Sequence, residues 1–256
     1  MKTVRYKYLN EVGYGVLKDE NISVLNSAPW FEGTETGVTI PLHSVTLLAP
    51  CEPKKIIGIA INFPGATGLL SASNEPLVFL KPSTSVIGPK MEIRSPFSGI
   101  NVWGECELAI VIGKKMSRVS EIEAKSGIFG YTIGNDVSCD NIQDLDHHLA
   151  RSKGADTFCA LGPWIDTDFN PQKKYIRGYQ NGELLRQGLA TDRLFSEPGL
   201  LVWLSKWMTL EPGDVVLTGA PTRTRDRLFL GDGDEFTCEI DGLGRLENTY
   251  ITQPEL

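Results

Sequence analysis

The stretch "WGECELAIVIG" (103–113) sets two carboxylates, Glu105 and Glu107, at the mouth of an apolar run. Residues i and i+2 of a strand point to the same face, so the pair projects side by side. Cys106, Leu108, Ile110 and Ile112 fill the other face. A strand with one solvated face accounts for this pattern without any chemistry. The chemical reading starts from repulsion: of two adjacent buried carboxylates, one takes up a proton unless a positive charge intervenes. A hard divalent cation removes that penalty, and Mg²⁺ or Mn²⁺ suits oxygen ligands while keeping positions for water or substrate. A third acidic ligand is then needed. Asp136, just after the apolar "IFGYTIGN" (128–135), is the best candidate, with an Asn-Asp turn as the plain alternative.

The rest of the chain excludes several other chemistries. The net charge is −7, and a nucleic-acid surface needs clustered Lys and Arg, so nucleic acid is not expected as a partner. A small anionic substrate is not excluded, because a local basic pocket or a metal overrides the overall field. No apolar run is long enough to span a membrane, and "MKTVRYKYLNEV" has no apolar signal core, so a cytoplasmic location is expected. Five cysteines without a CxxC pair read as reduced thiols rather than a disulfide framework or zinc site. "GYGVLK" and "DGLGRLE" do not complete GxGxxG, and there is no P-loop and no GxSxG elbow. Only His43, His147 and His148 are present, and the adjacent pair lacks the i, i+4 spacing of a helical metal site.

The elements that must position these residues are mostly strands. "TVRYKY" and "GVTIPL" are short β runs in a small N-terminal β-rich region, residues 1–50. Pro50 and Pro53 bracket a junction to a larger region, 51–256. There "KKIIGIAIN" (54–62), "EPLVFLKP" (75–82), "ECELAIVIG" (105–113) and "IFGYTIGND" (128–136) read as strands. The Gly/Ser-rich segment 64–75 has the composition of a lid loop. Ser120 and Glu123 form a capping box opening a short helix, and Asn181-Gly182 is a two-residue hairpin turn. A helix is predicted over 197–208, capped by Ser196, with Leu200, Trp203, Leu204, Trp207 and Met208 packing into the core. "EPGD" (211–214) turns the chain into the strand "VVLTG", and more short strands follow. The fold class is α+β, β-rich, with few short helices.

The ordered motifs "FLKP", "ECELAIVIG", "GYTIGNDVS", "RSKGADTFCALGPW", "NGELLRQ", "MTLEPGDVVLTGAP" and "IDGLGRLEN" resemble the fumarylacetoacetate hydrolase superfamily over about residues 55–251. The resemblance implies a twisted, mixed β-roll, most commonly a homodimer, and a Mg²⁺ or Mn²⁺ site on Glu105, Glu107 and Asp136. It implies a 2-oxo or 2,4-dioxo acid substrate whose carboxylate and 2-oxo oxygen chelate the metal, which acts as a Lewis acid and stabilises an enolate. Lys153 falls on the family's catalytic lysine. Lys81, in "FLKP", falls on a position with a supporting role, in substrate contact or strand packing. Gln143 and Thr218 fall on substrate-binding positions.

Departures from the family refine this. Hydrolytic members carry "NYxDHxxE", whose His activates water; here the stretch 62–67 reads "NFPGAT" and Ala66 stands in place of the His. Water attack needs a base. The resemblance is therefore closer to the isomerase/decarboxylase-type members, so decarboxylation or keto–enol isomerisation is expected ahead of acylpyruvate or fumarylpyruvate hydrolysis. A binding homologue without chemistry is the third reading. His148, or its neighbour His147, is the candidate replacement base. "TGTP" is "TGAP", so Ala220 lacks a hydroxyl, and "PTRTRDR" (221–227) supplies Arg223, Arg225 and Arg227. Near the pocket they bind a distal carboxylate, with Arg223 the candidate; otherwise they are solvated loop charges.

Overall fold

The computed structural model describes residues 1–65 and 74–252. Ala66 and most of the expected lid 64–75 lie outside the described residues. The framework is a mixed sheet of twelve strands packed against a five-stranded sheet. Its first four strands, Lys2–Tyr8, Glu11–Lys18, Asn21–Leu25 and Glu35–Pro41, pair successively. Lys2–Tyr8 then joins Cys159–Asp166, with Lys2 opposite Asp166, so the N-terminal strands continue the sheet of the larger region. Beyond Cys159–Asp166 come Ile128–Asp136, Cys106–Ile112, Val215–Leu217, Ile56–Ala60 and Leu77–Lys81.

All seven residues of Cys106–Ile112 are buried, so neither face of this strand is solvated. Cys106 and Leu108 meet Phe236, Cys238 and Leu246 between the two sheets. Ile110 and Ile112 pack with Ile57 and Ile59 under the helices Glu121–Gly127 and Glu197–Ser205. Ala109 and Val111 pack on the opposite face with Leu161, Val215 and Leu217. Burying each large aliphatic side chain contributes roughly 1.5–3 kcal/mol. That apolar grip holds the strand still and carries Glu107 into the interior with it.

Local signals behave as chemistry requires. Ser120 and Glu123 close a reciprocal capping box on Glu121–Gly127. Asn181 and Gly182 take φ values of 50° and 79° in a hairpin that pairs Gln180 with Glu183. The third helix starts at its Ser196 cap but ends at Ser205, three residues before the expected 208. Lys206 N and Trp207 N bond the carbonyls of Trp203 and Leu204, an i→i+3 tightening that rotates the next side chain off the core stripe. Trp207 is consequently 55% exposed rather than core, edge-on to Trp203.

Candidate active site and metal centre

Strand register brings the acidic residues together. Glu107 stands opposite Gly134 and Cys106 opposite Asn135. Asp136 N donates to Glu105 O at 2.9 Å, extending the ladder one step. Opposed residues of antiparallel strands share a face, so Glu105, Glu107 and Asp136 project from one side. One carboxylate oxygen from each lies within 4.8 Å of the others. Oxygens opposite each other on a Mg²⁺ ion are about 4.2 Å apart, so a small side-chain adjustment lets all three reach one ion.

Three cationic side chains and one backbone N–H hold the trio. Lys153, on the short helix Ala150–Gly154, donates to Glu105 Oε2 at 2.9 Å and to Asp136 Oδ2. Arg186, on the edge strand Glu183–Leu189, donates to Glu105 Oε1 at 2.6 Å and to the Pro221 carbonyl at 2.9 Å. Gly219 N donates to Glu107 Oε2 at 2.6 Å. Lys81 Nζ lies 2.7 Å from Asp136 Oδ1. Yet the three hydrogens of that ammonium have the carbonyls of Val137, Phe158 and Lys153 as acceptors. Asp136 Oδ1 therefore receives charge but no hydrogen bond.

This arrangement fits a divalent cation. Among the described residues no lysine or arginine pairs with Glu107, although only 3% of it is exposed. Burial first and Asp136 second push its carboxyl well above the usual carboxylate range. At Glu105 burial acts in the same direction, but Lys153 and then Arg186 outweigh it and hold the carboxyl at about 2. Burial opposes the charge of Lys153, and Asp136 and Glu105 overcome that to raise it. An all-oxygen donor set with one uncompensated carboxylate and one hydrogen-bond-free oxygen is chemistry that a hard cation completes.

The trio opens into a cavity of about 670 Å³ whose wall also includes Lys153, Arg186, Trp103, Ala220, Arg223 and Arg227. Other candidates sit elsewhere. Lys81 is buried behind Asp136, anchoring backbone, and does not line the cavity. Thr218 is also buried: its hydroxyl donates to Leu108 O at 2.7 Å and accepts from Arg193 Nη1 at 2.8 Å. His148, like His43 and His147, is exposed and outside the cavity wall. Gln143 lies in the turn Ile142–Asp144, and its side chain is outside the described residues. Arg186 was not singled out from the sequence. Its signal lay only in the motif "NGELLRQ", because its partner is 81 residues away. The Arg227 guanidinium over the Trp103 ring, 3.9 Å from the centroid, was equally invisible.

The neighbourhood of Gly219 shows why the turn after Val215–Leu217 is built as it is. Gly219 adopts φ +93°, and a Cβ there would sit 2.8 Å from Asn62 Cβ and 3.2 Å from Ile59 O. Asn62 in turn donates to Thr218 O at 2.8 Å and accepts from Phe195 N at 2.9 Å. The backbone N–H facing Glu107 is thus clamped from both sides.

Comparison with known proteins agrees with this geometry. Residues 55–251 match the family model for the fumarylacetoacetate (FAA) hydrolase C-terminal region, and residues 1–50 match an Rv2993c-like N-terminal model. The chain belongs to the fumarylacetoacetate hydrolase family. It is 39% identical to protein Rv2993c of Mycobacterium tuberculosis over 87% of this chain and 85% of that protein. It is 36% identical to the mitochondrial oxaloacetate tautomerase fahd2 of Xenopus laevis, over 81% of this chain and 69% of the relative. Among solved structures, 5-carboxymethyl-2-hydroxymuconate delta-isomerase from Mycobacterium smegmatis superposes with a TM-score of 0.91 at 35% identity, covering 99% of this chain and 100% of that one. Among the described residues no helix is long and apolar enough to cross a membrane.

Proposed function

We propose that the chain is a divalent-metal-dependent enzyme that interconverts keto and enol forms of a 2-oxo or 2,4-dioxo acid, or decarboxylates it. The observation that carries this reading is the convergence of Glu105, Glu107 and Asp136 beside Lys153 in a cavity whose wall contains none of the three histidines. Hydrolysis of a carbon–carbon bond needs a base for water, and no imidazole stands there to supply it. Proton transfer beside a carbonyl, or loss of CO₂ from a β-carboxylate, instead puts negative charge on the 2-oxo oxygen. Glu105, Glu107 and Asp136 would hold a divalent cation, which would supply Lewis acidity to stabilise that charge.

The chain's own groups do the rest. Two hydrogens of the Lys153 ammonium are committed to Glu105 and Asp136, leaving a third to hold or deliver a proton at the substrate. Arg186 fixes the orientation of Glu105, and Lys81 fixes Asp136 and the backbone that carries Lys153. The names of the Xenopus and M. smegmatis relatives, a tautomerase and an isomerase, support this reading over hydrolysis. On oxygen-only donors the ion is Mg²⁺ or Mn²⁺. The resemblance supports a homodimer and a catalytic region spanning 51–256. Five free thiols support a reducing compartment such as the cytoplasm.

The test supplies oxaloacetate and acylpyruvates with Mg²⁺ or EDTA, following enol absorbance, CO₂ and released acids. Metal-dependent enol loss or CO₂ release from oxaloacetate is expected, with Asp136→Asn lowering kcat about a hundredfold or more. Metal-dependent splitting of acylpyruvates without effect on oxaloacetate would replace this reading with a hydrolase.

A further inference from the structure

The loop 221–227 docks on the edge strand Glu183–Leu189: Thr224 N donates to Leu185 O at 2.9 Å, and Arg223 forms an antiparallel bridge with Arg186. It brings three more arginines to the cavity wall, and they are not equivalent. Arg225 pairs with Glu183, as Arg186 pairs with Glu105. Among the described residues Arg223 and Arg227 form no ion pair with any carboxylate, including Asp226, which also lines the cavity. Arg227 lies over Trp103, its Nε is buried without a hydrogen-bond partner, and Arg223 and Arg186 both act on it as like charges. Two carboxylates act on Arg227 from a distance: Glu105, already held by Lys153 and Arg186, and Asp140, which accepts from Asn101 Nδ2 at 2.8 Å and forms no ion pair with the arginine.

Like charges gathered in a cleft repel unless an anion lies among them. Within the site Lys81, Lys153 and Arg186 equal the three carboxylates in net charge, although none of them pairs with Glu107. A bound divalent cation makes the site positive, and Arg223 and Arg227 add further positive charge. A 2-oxo monoacid brings one negative charge and a diacid brings two. A guanidinium fork is also suited to a planar carboxylate.

Building on the proposed reaction, we infer that Arg223 and Arg227 form a distal anion subsite selecting 2-oxo acids that carry a second carboxylate. Arg227 is pre-positioned by its stack on Trp103, and the backbone that carries Arg223 is fixed by its bridge to Arg186. The metal end of the cavity reads the 2-oxo acid common to all candidate substrates, and the arginines read what differs between them.

The experiment compares pairs of acids that differ by one carboxylate. Mg²⁺-loaded protein is titrated calorimetrically with 2-oxoglutarate and 2-oxopentanoate, and kcat/KM is measured for oxaloacetate. Arg223→Gln and Arg227→Gln are expected to lower the diacid-over-monoacid binding ratio by about tenfold to a hundredfold, the usual loss for a charged hydrogen bond. KM for oxaloacetate should rise in parallel. Arg225→Gln should leave the ratio within about twofold, because its charge is committed to Glu183; an equal loss there would show a diffuse field and overturn the subsite. Equal losses for both acids in Arg223→Gln and Arg227→Gln, or no loss, would also overturn it. If the wild-type protein does not turn over oxaloacetate yet shows an arginine-dependent binding ratio, the subsite stands and the proposed reaction falls. If oxaloacetate turns over and the variants keep the ratio, the reaction stands and the subsite falls.

Discussion

Replacing Lys81 by methionine keeps most of the side-chain volume and removes a fully buried ammonium. The partners left behind define the cost. The carbonyls of Val137 and Phe158, at 3.0 and 2.8 Å, and that of Lys153 lose their donor, and Asp136 Oδ1 loses its cation at 2.7 Å. With Lys81 only 1% exposed, water has no ready route to replace these contacts. Breaking a buried ion pair from one side costs about 3–5 kcal/mol, and the orphaned carbonyls put Lys81→Met at the upper end. For a chain of this size, each kcal/mol lowers Tm by about 2–4 °C, so a fall of about 10–20 °C is expected. Thermal unfolding by circular dichroism in EDTA reads it, with Lys55→Met as the comparison. Lys55 pairs with the buried Asp214 but is itself 25% exposed, and the Lys55 and Glu211 backbone N–H groups still reach that carboxylate. Its loss should be less than half as large. A Tm within about 2 °C of wild type for Lys81→Met would refute the claim that this lysine anchors the site.

Glu107→Gln should raise Tm of the metal-free protein at pH 7 while abolishing metal-dependent turnover. A carboxyl whose pKa is raised on folding subtracts stability once pH passes its unfolded value, and the amide removes that cost. The sign reverses at Glu105, held at about 2: its contribution is complete above its unfolded value near 4.5 and is lost as pH falls toward 2. The decline in stability of metal-free protein between pH 5 and 2 should therefore be shallower in Glu105→Gln, as read by urea midpoints. Gly219→Ala should cost about 1–3 kcal/mol through a left-handed backbone and a 2.8 Å contact with Asn62. It should also weaken Mg²⁺ binding measured by calorimetry, since the N–H on Glu107 moves.

Features decided within a few residues were legible in the amino-acid sequence. The reciprocal cap of Ser120 and Glu123 needs only helical spacing, and the Asn181-Gly182 turn needs only two residues tolerant of positive φ. The shared face of Glu105 and Glu107 follows from the two-residue period of a strand. The overlong helix shows the limit of periodicity: 197–208 keeps an apolar stripe to its end, but the i→i+3 turn after Ser205 takes Trp207 out of it. Asp136 was reachable as a candidate, and the resemblance supplied the pairing, but its place beside the glutamates rests on a strand register with Glu105 as neighbour.

By itself the sequence determined the residue types, the local turns and caps, and which acidic pair shares a face, because these depend on bonds and periods spanning a few residues. Tertiary structure alone decided which cations meet which carboxylates. It turned Lys81 inward onto carbonyls, committed Thr218 to the Leu108 backbone, left His148 in solvent and brought Arg186 to Glu105. Direction and distance between groups far apart in the chain are set by sheet register and packing, and no local pattern encodes them.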